Sequence, residues 1–173
     1  MYMISTLDKI KKRKEANDVF ITPETVVKVH MDILKPFMEE YDKILDPFYG
    51  TGRYYDALIL TAPNNCEFDF TEINMGKDFF DYDKPVDIIA SNPPYSILEK
   101  VLEKCISLNP RVISFIIGIN NLTAKRLEYM NKNGYYLQNL HMTKVFQWFG
   151  MSLILTFIKG GKNCIDFDRK VHK

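Results

Sequence analysis

The sequence has few of the residues that build covalent frameworks or metal sites. Its 173 residues include three cysteines and three histidines. Cys66, Cys105 and Cys164 are an odd number without a C-x-x-C pair, and the histidines have no ligand-like spacing. We therefore expect neither a disulfide framework nor a metal site. This cysteine usage is typical of a reducing, cytoplasmic compartment.

Long apolar runs and an excess of one charge are also lacking. No stretch approaches the roughly 20 apolar residues of a membrane span, and the first ten residues lack the apolar centre of a signal peptide. We therefore expect no membrane association. With 23 basic and 22 acidic residues the net charge is +1, so a nucleic-acid surface would have to be a local patch. Basic residues concentrate between Lys9 and Lys14, a segment that either contacts phosphates or is a solvated terminus.

One loop in the middle of the chain carries a strong chemical signal. Residues 86–90 are short, apolar and partly β-branched, which predicts a buried strand, and N-P-P-Y follows at residues 92–95. Two consecutive prolines end the strand and keep the loop extended and stiff. The Asn92 amide oxygen and the Pro93 carbonyl can accept the two hydrogens of an exocyclic amino group, and Tyr95 can stack on a base. The alternative is a packed turn without chemistry.

A Gly-rich turn earlier in the chain predicts a ligand site. The strand ending at Asp46, the turn D-P-F-Y-G-T-G and the helix after it form the opening of a Rossmann-like unit. The turn lacks the third glycine of a dinucleotide motif and the G-K-[ST] of a P-loop. Asp46 suits a cationic group, such as an α-ammonium, better than a pyrophosphate. Glu72 ends a second strand, where doubly wound folds place an acid for ribose hydroxyls. Asp78 and Phe79 can bind and flank an adenine, or else form a polar turn.

Apolar spacing predicts the other elements. Thr22 is predicted to cap a helix whose first residue is Pro23. His30 lies on the apolar stripe of this helix, so we interpret it as a core-edge residue rather than a ligand. After N-P-P-Y the pattern predicts a helix at 97–105, a strand at 111–117, a helix at 124–131, and strands at 135–143 and 151–158. The aromatic connector between the last two strands either packs or contacts nucleic acid.

Taken together, these motifs resemble those of the S-adenosylmethionine-dependent amino-methyltransferases of nucleic acids, specifically the N6-adenine group. The resemblance extends over about residues 20–158, in an order of motifs found in that family. The turn at residues 46–52 looks like the family's D-P-F-x-G-x-G, and N-P-P-Y looks like its catalytic motif. The implied cofactor-binding residues are Phe20, Thr22, Pro23, Asp46, Phe48, Gly50, Gly52, Glu72, Ile73, Asp78 and Phe79. The implied catalytic residues are Asn92, Pro93, Pro94 and Tyr95.

The resemblance also implies an architecture. It is an α/β, Rossmann-like, seven-stranded and mostly parallel sheet with helices on both faces and a terminal antiparallel hairpin. We expect a basic arm (1–16), a single methyltransferase domain (17–160) and a charged tail (161–173). Many DNA-modifying members carry a separate target-recognition domain, and no segment here is long enough for one. Specificity is therefore expected from short loops, from a partner subunit or from a homodimer, or else it is expected to be low.

The implied activity is methyl transfer from S-adenosylmethionine, with S-adenosylhomocysteine as product, to the N6 amino group of adenine. DNA is favoured over RNA as the substrate. RNA guanine-N2 and protein glutamine methyltransferases are similar in carrying N-P-P-[YF] and are alternatives, although Thr22-Pro23 and the D-P-F-x-G-x-G form favour the adenine group. A non-catalytic subunit with the same fold is a third hypothesis. Its usual sign, a broken motif, is absent from the sequence.

Overall fold

The computed structural model describes residues 21–145 and 150–169. In these ranges six strands form one sheet in the order β2-β1-β3-β4-β6-β5. The strands are β1 (Lys43–Asp46), β2 (Glu67–Phe70), β3 (Ile88–Ser91), β4 (Val112–Gly118), β5 (Tyr135–Thr143) and β6 (Ser152–Lys159). Strands β1 to β4 pair in parallel, and β6 is antiparallel to its neighbours β4 and β5. Five strands therefore share one direction, and the predicted antiparallel hairpin is confirmed.

Helices cover both faces of the sheet. They are α1 (Glu24–Leu34), α2 (Arg53–Thr61), α3 (Leu98–Leu108) and α4 (Ala124–Lys132). Shorter 3-10 helices span Lys35–Phe37, Ile73–Met75, Phe79–Asp81, Tyr95–Ile97 and Ile119–Asn121. Helices α1 and α2 pack on one face, and α3 and α4 pack on the other. None of the helices in the described ranges is long and apolar enough to cross a membrane.

Successive side chains of each strand point to opposite faces of the sheet, so the core is divided into two clusters. Ile88 packs on the α1–α2 face, and Ile89 packs on the α3–α4 face. Both side chains are fully buried, because successive strand residues point to opposite sides and each side is covered by helices. Burial of each such side chain stabilises the fold by roughly 1.5–3 kcal/mol. This two-sided burial explains why the central strands are almost continuously apolar in sequence.

The seventh strand that the resemblance implies is not present among the described residues. Strand β2 is an edge strand there, and residues 71–87 lead from it to β3. This connection is occupied by a bridge between Glu72 and Lys77 and by two 3-10 helices. It therefore crosses to β3 without forming a strand outside β2.

The first helix begins one residue later than predicted. Pro23, not Thr22, is the N-cap of α1, with extended backbone angles of −59° and 144°. The Pro23 carbonyl accepts the amides of Val26 and Val27, each at 3.0 Å. The Thr22 cap prediction is therefore wrong, because the proline keeps an extended ψ instead of entering the helix. The Thr22 side chain is consequently available for another contact.

The predicted terminal segments are only partly covered by the structure. The basic arm (1–16) and the predicted cofactor residue Phe20 lie outside the described residues, as does most of the aromatic connector. The described part of the predicted tail hydrogen-bonds to strand β5. The Leu137 amide donates to Asn163 Oδ1 at 2.9 Å, and the Cys164 amide donates to the Leu137 carbonyl at 2.7 Å. Ile165 and Phe167 pack against the α3–α4 core.

Candidate active site

The candidate site lies where strands β1 and β3 end side by side. These strands are parallel neighbours, with Leu45 opposite Ile89. Asp46 is the last residue of β1 and Ser91 is the last residue of β3. The Gly-rich turn therefore leaves the sheet next to the N-P-P-Y loop. Ligands of open α/β sheets bind at this carboxyl edge.

Asp46 is a fully buried carboxylate, and only one of its two oxygens is hydrogen-bonded in the described part of the chain. Its Oδ1 accepts hydrogen bonds from Ser91 Oγ at 2.7 Å and from the Phe48 amide at 3.1 Å. Its Oδ2 is buried without a hydrogen-bond partner in the described part of the chain. Burial raises the pKa of Asp46 to about 6, although the bonds from Ser91 and Phe48 oppose this shift. A buried carboxylate oxygen of this kind needs a donor, and a cationic ligand group can supply one.

The Gly-rich turn requires glycine at two positions. Gly50 has a φ of +52° and Gly52 a φ of +82°, in the left-handed region that favours glycine. A Cβ at Gly52 would lie 2.7 Å from the Tyr49 hydroxyl, so a side chain here would also require the Tyr49 ring to move. The Gly52 amide donates to the Tyr49 carbonyl at 2.7 Å, which closes the turn in front of α2. At Gly50, where a Cβ would meet only the Phe48 carbonyl at 3.8 Å, the turn exposes backbone that a ligand can approach closely.

Glu72 lies beside this turn, just after β2. Its Oε2 accepts the Gly50 amide at 3.0 Å and its Oε1 accepts the Asn74 amide at 3.1 Å. Each carboxylate oxygen has a second lone pair, so both can still accept a ligand hydroxyl. Ile73 follows with 71% of its surface exposed. The structure thus brings the predicted ribose-binding acid to the predicted Gly-rich turn.

The predicted adenine-binding pair is divided between surface and core. Asp78 is half-buried, and its Oδ1 caps a 3-10 helix by accepting the Phe80 amide at 2.9 Å. Phe79 is only 3% exposed, and its ring contacts the ring of Phe48 edge-on, with centroids 5.4 Å apart. Two residues of separate predicted motifs therefore form one aromatic pair. Adenine binding by Asp78 and Phe79 stays a prediction.

The N-P-P-Y loop is anchored at both ends. Pro93 is buried, and Pro94 is extended with φ −65° and ψ 124°. Tyr95 begins the 3-10 helix that leads into α3 and packs partly against the α3–α4 core. The Asn92 side chain donates from Nδ2 to Thr22 Oγ1 at 3.1 Å. Thr22, predicted as a cofactor residue, therefore contacts the predicted catalytic amide directly.

Buried polar side chains continue from Thr22 into the interior. We call Thr22, Tyr54, His30, Ser114 and Thr156 the polar row. His30 is fully buried, with Nδ1 3.1 Å from Tyr54 Oη and Nε2 2.7 Å from Ser114 Oγ. Ser114 Oγ lies 2.9 Å from Thr156 Oγ1. Burial raises the pKa of Tyr54 well above its usual value, whereas a hydrogen bond with the Thr22 side chain lowers it. Thr22 is the member of the row that contacts Asn92.

Sequence reasoning did not predict Ser91 or the polar row as functional. One sequence feature could have indicated Ser91, because its hydroxyl lies between a buried strand and the N-P-P-Y loop. Ser114 had another, since it is a polar residue inside an otherwise apolar strand. His30 was predicted at the edge of the core, and the structure buries it completely because its ring is paired at both nitrogens. Burial lowers the pKa of His30 to about 3, so the ring is neutral at physiological pH.

Comparison with known proteins addresses the fold. No protein-family profile matches the sequence, and no curated protein matches it. PH1948 of Pyrococcus horikoshii, provisionally assigned as an RNA methyltransferase, matches with a TM-score of 0.65 and 14% identity over 81% of this chain and 87% of its own. The precorrin-6y C5,15-methyltransferase of Geobacter metallireducens GS-15 matches with a TM-score of 0.62 and 15% identity over 83% and 92%.

A third structure includes ligands. The 1,6-didemethyltoxoflavin-N1-methyltransferase of Burkholderia thailandensis, solved with 1,6-didemethyltoxoflavin and S-adenosylhomocysteine, matches with a TM-score of 0.58 and 11% identity over 80% of each chain. The chain has a Rossmann-like methyltransferase fold. The three proteins are described as methyltransferases of different substrates. Because the identities are low, those substrates describe those proteins alone. For this methyltransferase fold, the function has to be argued from the site itself.

Proposed function

We propose that this protein transfers a methyl group from S-adenosylmethionine to the N6 amino group of adenine in nucleic acid, with DNA favoured over RNA. The observation that carries the proposal is the 2.7 Å hydrogen bond between Ser91 Oγ and Asp46 Oδ1. It joins the carboxylate suited to a cationic cofactor end to the residue immediately before Asn92. The two predicted motifs, separate in sequence, therefore serve one crevice.

The residues of the crevice fit S-adenosylmethionine. The buried Asp46 Oδ2 lacks a donor among the described residues, and the α-ammonium of the methionine end supplies one. Glu72 has acceptor capacity for the ribose, and the missing side chain at Gly50 leaves the backbone of the turn open to close approach. Asp78 and Phe79 bind the adenine in this proposal, and Phe48 supports Phe79. When bound, the cofactor supplies an electrophilic methyl group on its sulfonium.

The N-P-P-Y loop prepares the target nitrogen. Asn92 Oδ1 and the Pro93 carbonyl each accept one hydrogen of the amino group, which draws the nitrogen lone pair out of conjugation with the ring. Tyr95 stacks on the base, which is flipped out of a duplex or presented single-stranded, and this stacking contributes about 1–3 kcal/mol. Catalysis then comes from positioning and from placed hydrogen-bond acceptors. The target sequence is selected by short loops or by a partner subunit, which a second copy of the chain can also provide.

A tritiated-methyl transfer assay tests the proposal. The protein is offered duplex DNA, single-stranded DNA, structured RNA and a protein extract, followed by nucleoside digestion and mass analysis. We expect N6-methyldeoxyadenosine, and Asn92→Ala is expected to lower the rate about 100-fold or more, the scale of losing one placed hydrogen-bonding group. Asn64→Ala is the matched control, because Asn64 is exposed in the turn between α2 and β2.

Three outcomes would contradict the proposal. Label on guanine would favour an RNA guanine-N2 methyltransferase, and label on protein would favour a glutamine methyltransferase. No transfer to any substrate despite measurable binding of S-adenosylhomocysteine would favour a non-catalytic subunit. Label on RNA adenine alone would keep the chemistry and replace DNA as the substrate.

A further inference from the structure

Ser91 lies between the two sides of the candidate site. It ends β3, is fully buried, and directly precedes Asn92 of the N-P-P-Y loop. Its hydroxyl oxygen lies 2.7 Å from Oδ1 of Asp46, which ends the neighbouring strand β1. An ionised carboxylate can only accept hydrogen bonds, so Ser91 donates this one. Ser91 therefore contacts the proposed cofactor side of the crevice and continues directly into its proposed target side.

Asp46 needs such a donor because a carboxylate is unstable in the interior without hydrogen bonds. Its side chain is fully buried, and a carboxylate that loses water without gaining donors takes up a proton instead. Hydrogen bonds to its Oδ1 come from the Ser91 hydroxyl and from the Phe48 amide. The Phe48 amide belongs to the backbone, whereas the Ser91 hydroxyl is a side-chain donor. A substitution can therefore remove the Ser91 bond and leave the other in place.

Both donors act on the same carboxylate oxygen. Ser91 and Phe48 donate to Oδ1, and Oδ2 is buried without a partner among the residues that the structure describes. Two bonds to one oxygen restrict rotation of the carboxylate, so Oδ2 remains the oxygen that can accept from a ligand. Without the Ser91 bond, the carboxylate would be held only by an amide two residues further along the chain. It would then be freer to rotate and easier to protonate.

The surroundings of Asp46 add no positive charge that could replace this bond. None of the ion pairs between residues 21–145 and 150–169 includes Asp46. Glu72 and Tyr54 are the titratable groups that interact with it. Burial raises the pKa of Asp46 and the charge of Glu72 raises it further, whereas the Ser91 bond lowers it. Burial also raises the pKa of Tyr54 well above its usual value, so this phenol stays neutral.

We propose that Ser91 is a positioning residue for the cofactor, whose hydroxyl keeps the Asp46 carboxylate charged and its Oδ2 available to the cationic end of S-adenosylmethionine. The inference rests on the proposed function, since it assumes that this crevice binds that cofactor. A purely structural role, in which the hydroxyl only satisfies its own hydrogen-bonding capacity at the end of a buried strand, predicts a loss of stability and an unchanged titration of Asp46.

The titration of Asp46 in protein without cofactor is the first test. In protein labelled with ¹³C-aspartate, the Asp46 carboxyl signal is assigned by its loss in Asp46→Asn. Wild type is expected to titrate at a pH of about 6. Ser91→Ala should raise this midpoint by about one pH unit, the scale of losing one hydrogen bond to a charged group. Cys105→Ala is the matched control, because it removes one atom of a fully buried side chain on α3 and should leave the midpoint unchanged.

Binding of S-adenosylhomocysteine, measured by calorimetry, is the second test. If the carboxylate form binds the cationic end, affinity follows the ionisation of Asp46. Ser91→Ala is then expected to bind about tenfold more weakly than wild type at pH 5 and within about twofold at pH 9, where Asp46 is charged in both proteins. In methyl transfer at pH 6, Ser91→Ala should raise KM for S-adenosylmethionine more than it lowers kcat, whereas Asn92→Ala should mainly lower kcat.

A second variant covers the case in which Ser91→Ala fails to fold. Ser91→Cys keeps a side chain of similar size with a weaker donor, so it should raise the Asp46 midpoint in the same direction by less. Its affinity for S-adenosylhomocysteine at pH 5 should likewise lie between those of wild type and Ser91→Ala.

The outcomes separate this inference from the proposed function. An unchanged Asp46 midpoint in Ser91→Ala and Ser91→Cys would overturn the inference, whatever the affinities. If wild type binds S-adenosylhomocysteine and methylates adenine while Ser91→Ala shows the same affinity at every pH, or a loss that does not vary with pH, the inference is also overturned and the proposed function stands. If the midpoint rises but wild type binds no cofactor and methylates no substrate, the effect of Ser91 on the charge of Asp46 is supported and the proposed function fails.

Discussion

The two faces of the sheet are built differently although the same strands contribute to both. On the α3–α4 face, β4 presents Ile113 and Phe115 to an apolar core. On the α1–α2 face, the same strand presents Ser114 between Val112 and Ile116. Ser114 and its cross-strand neighbour Thr156 hydrogen-bond each other and connect to His30. One face therefore buries mainly apolar area, with the Tyr135 hydroxyl bonded to the Pro110 carbonyl, and the other also buries a row of polar side chains.

The difference indicates that the apolar face contributes mainly to stability and that the polar face also contributes to the geometry of the site. An apolar core is non-directional, so it holds elements together without setting the orientation of any one group. A buried hydrogen-bond row is directional, and each unsatisfied member costs about 1–3 kcal/mol. The α1–α2 face contains such buried hydrogen bonds next to Thr22, which contacts Asn92. The comparison predicts that changes on one face alter mainly stability, and changes on the other alter mainly the site.

The largest expected effect comes from the apolar face. Ile113→Ala removes a fully buried side chain, and such truncations lower the free energy of unfolding by about 2–5 kcal/mol. Urea unfolding measures this loss. The folded variant is expected to retain wild-type kcat, because no directional contact to Asn92 is changed. The neighbouring variant Ser114→Ala provides the contrast, with a smaller loss of stability and a lower kcat. Equal effects of both variants on kcat would remove the distinction between the faces.

A middle-sized effect is expected from the pH dependence of the polar face. The pKa of His30 is about 3 in the folded protein and about 6.5 when unfolded, so below pH 6.5 only the unfolded chain gains the proton. The stability due to neutral His30 is complete above pH 6.5 and falls as the pH drops toward 3. Between pH 7 and pH 5 we expect a loss of about 2 kcal/mol.

Replacing His30 isolates this contribution. His30→Gln keeps one acceptor and one donor but does not titrate, so its urea-unfolding free energy should fall less between pH 7 and pH 5 than that of wild type. Tyr54 and Ser114, which face the ring, have no charge change in this range and do not mask the difference. The same pH dependence in both proteins would mean that the buried ring is not the acid-sensitive group.

Much of the site could be predicted because local sequence determines it. The run at residues 86–90 predicted a strand, the double proline predicted where it stops, and the glycines predicted a turn with positive φ. Since ligands of such sheets bind at strand ends, Asp46, Glu72 and Asn92 could be assigned to one edge before any geometry was known. The hairpin formed by β5 and β6 followed from the same periodicity.

The remaining features depend on which elements become neighbours. Ser91 contacts Asp46 because β3 pairs with β1, although β2 lies between them in sequence. His30 reaches Ser114 across 84 positions, which no local pattern encodes. Thr22 was predicted as a cap from its place before Pro23, but the tertiary bond to Asn92 takes its hydroxyl instead. These contacts form only after the sheet order and the helix placement are set.

The smallest expected effect sharpens the comparison between two buried titratable groups. His30 has partners at both nitrogens, whereas Asp46 Oδ2 has none in the described part of the chain. Because the pKa of Asp46 is raised to about 6, the carboxyl becomes protonated as the pH falls below that value. A cationic cofactor end binds the carboxylate form, so its affinity should fall by up to tenfold per pH unit below about 6. Calorimetric titration with S-adenosylhomocysteine from pH 8 to pH 5 measures this dependence. Asp46→Asn should bind more weakly at pH 8 and lose the dependence, and a flat profile for wild type would separate Asp46 from cofactor binding.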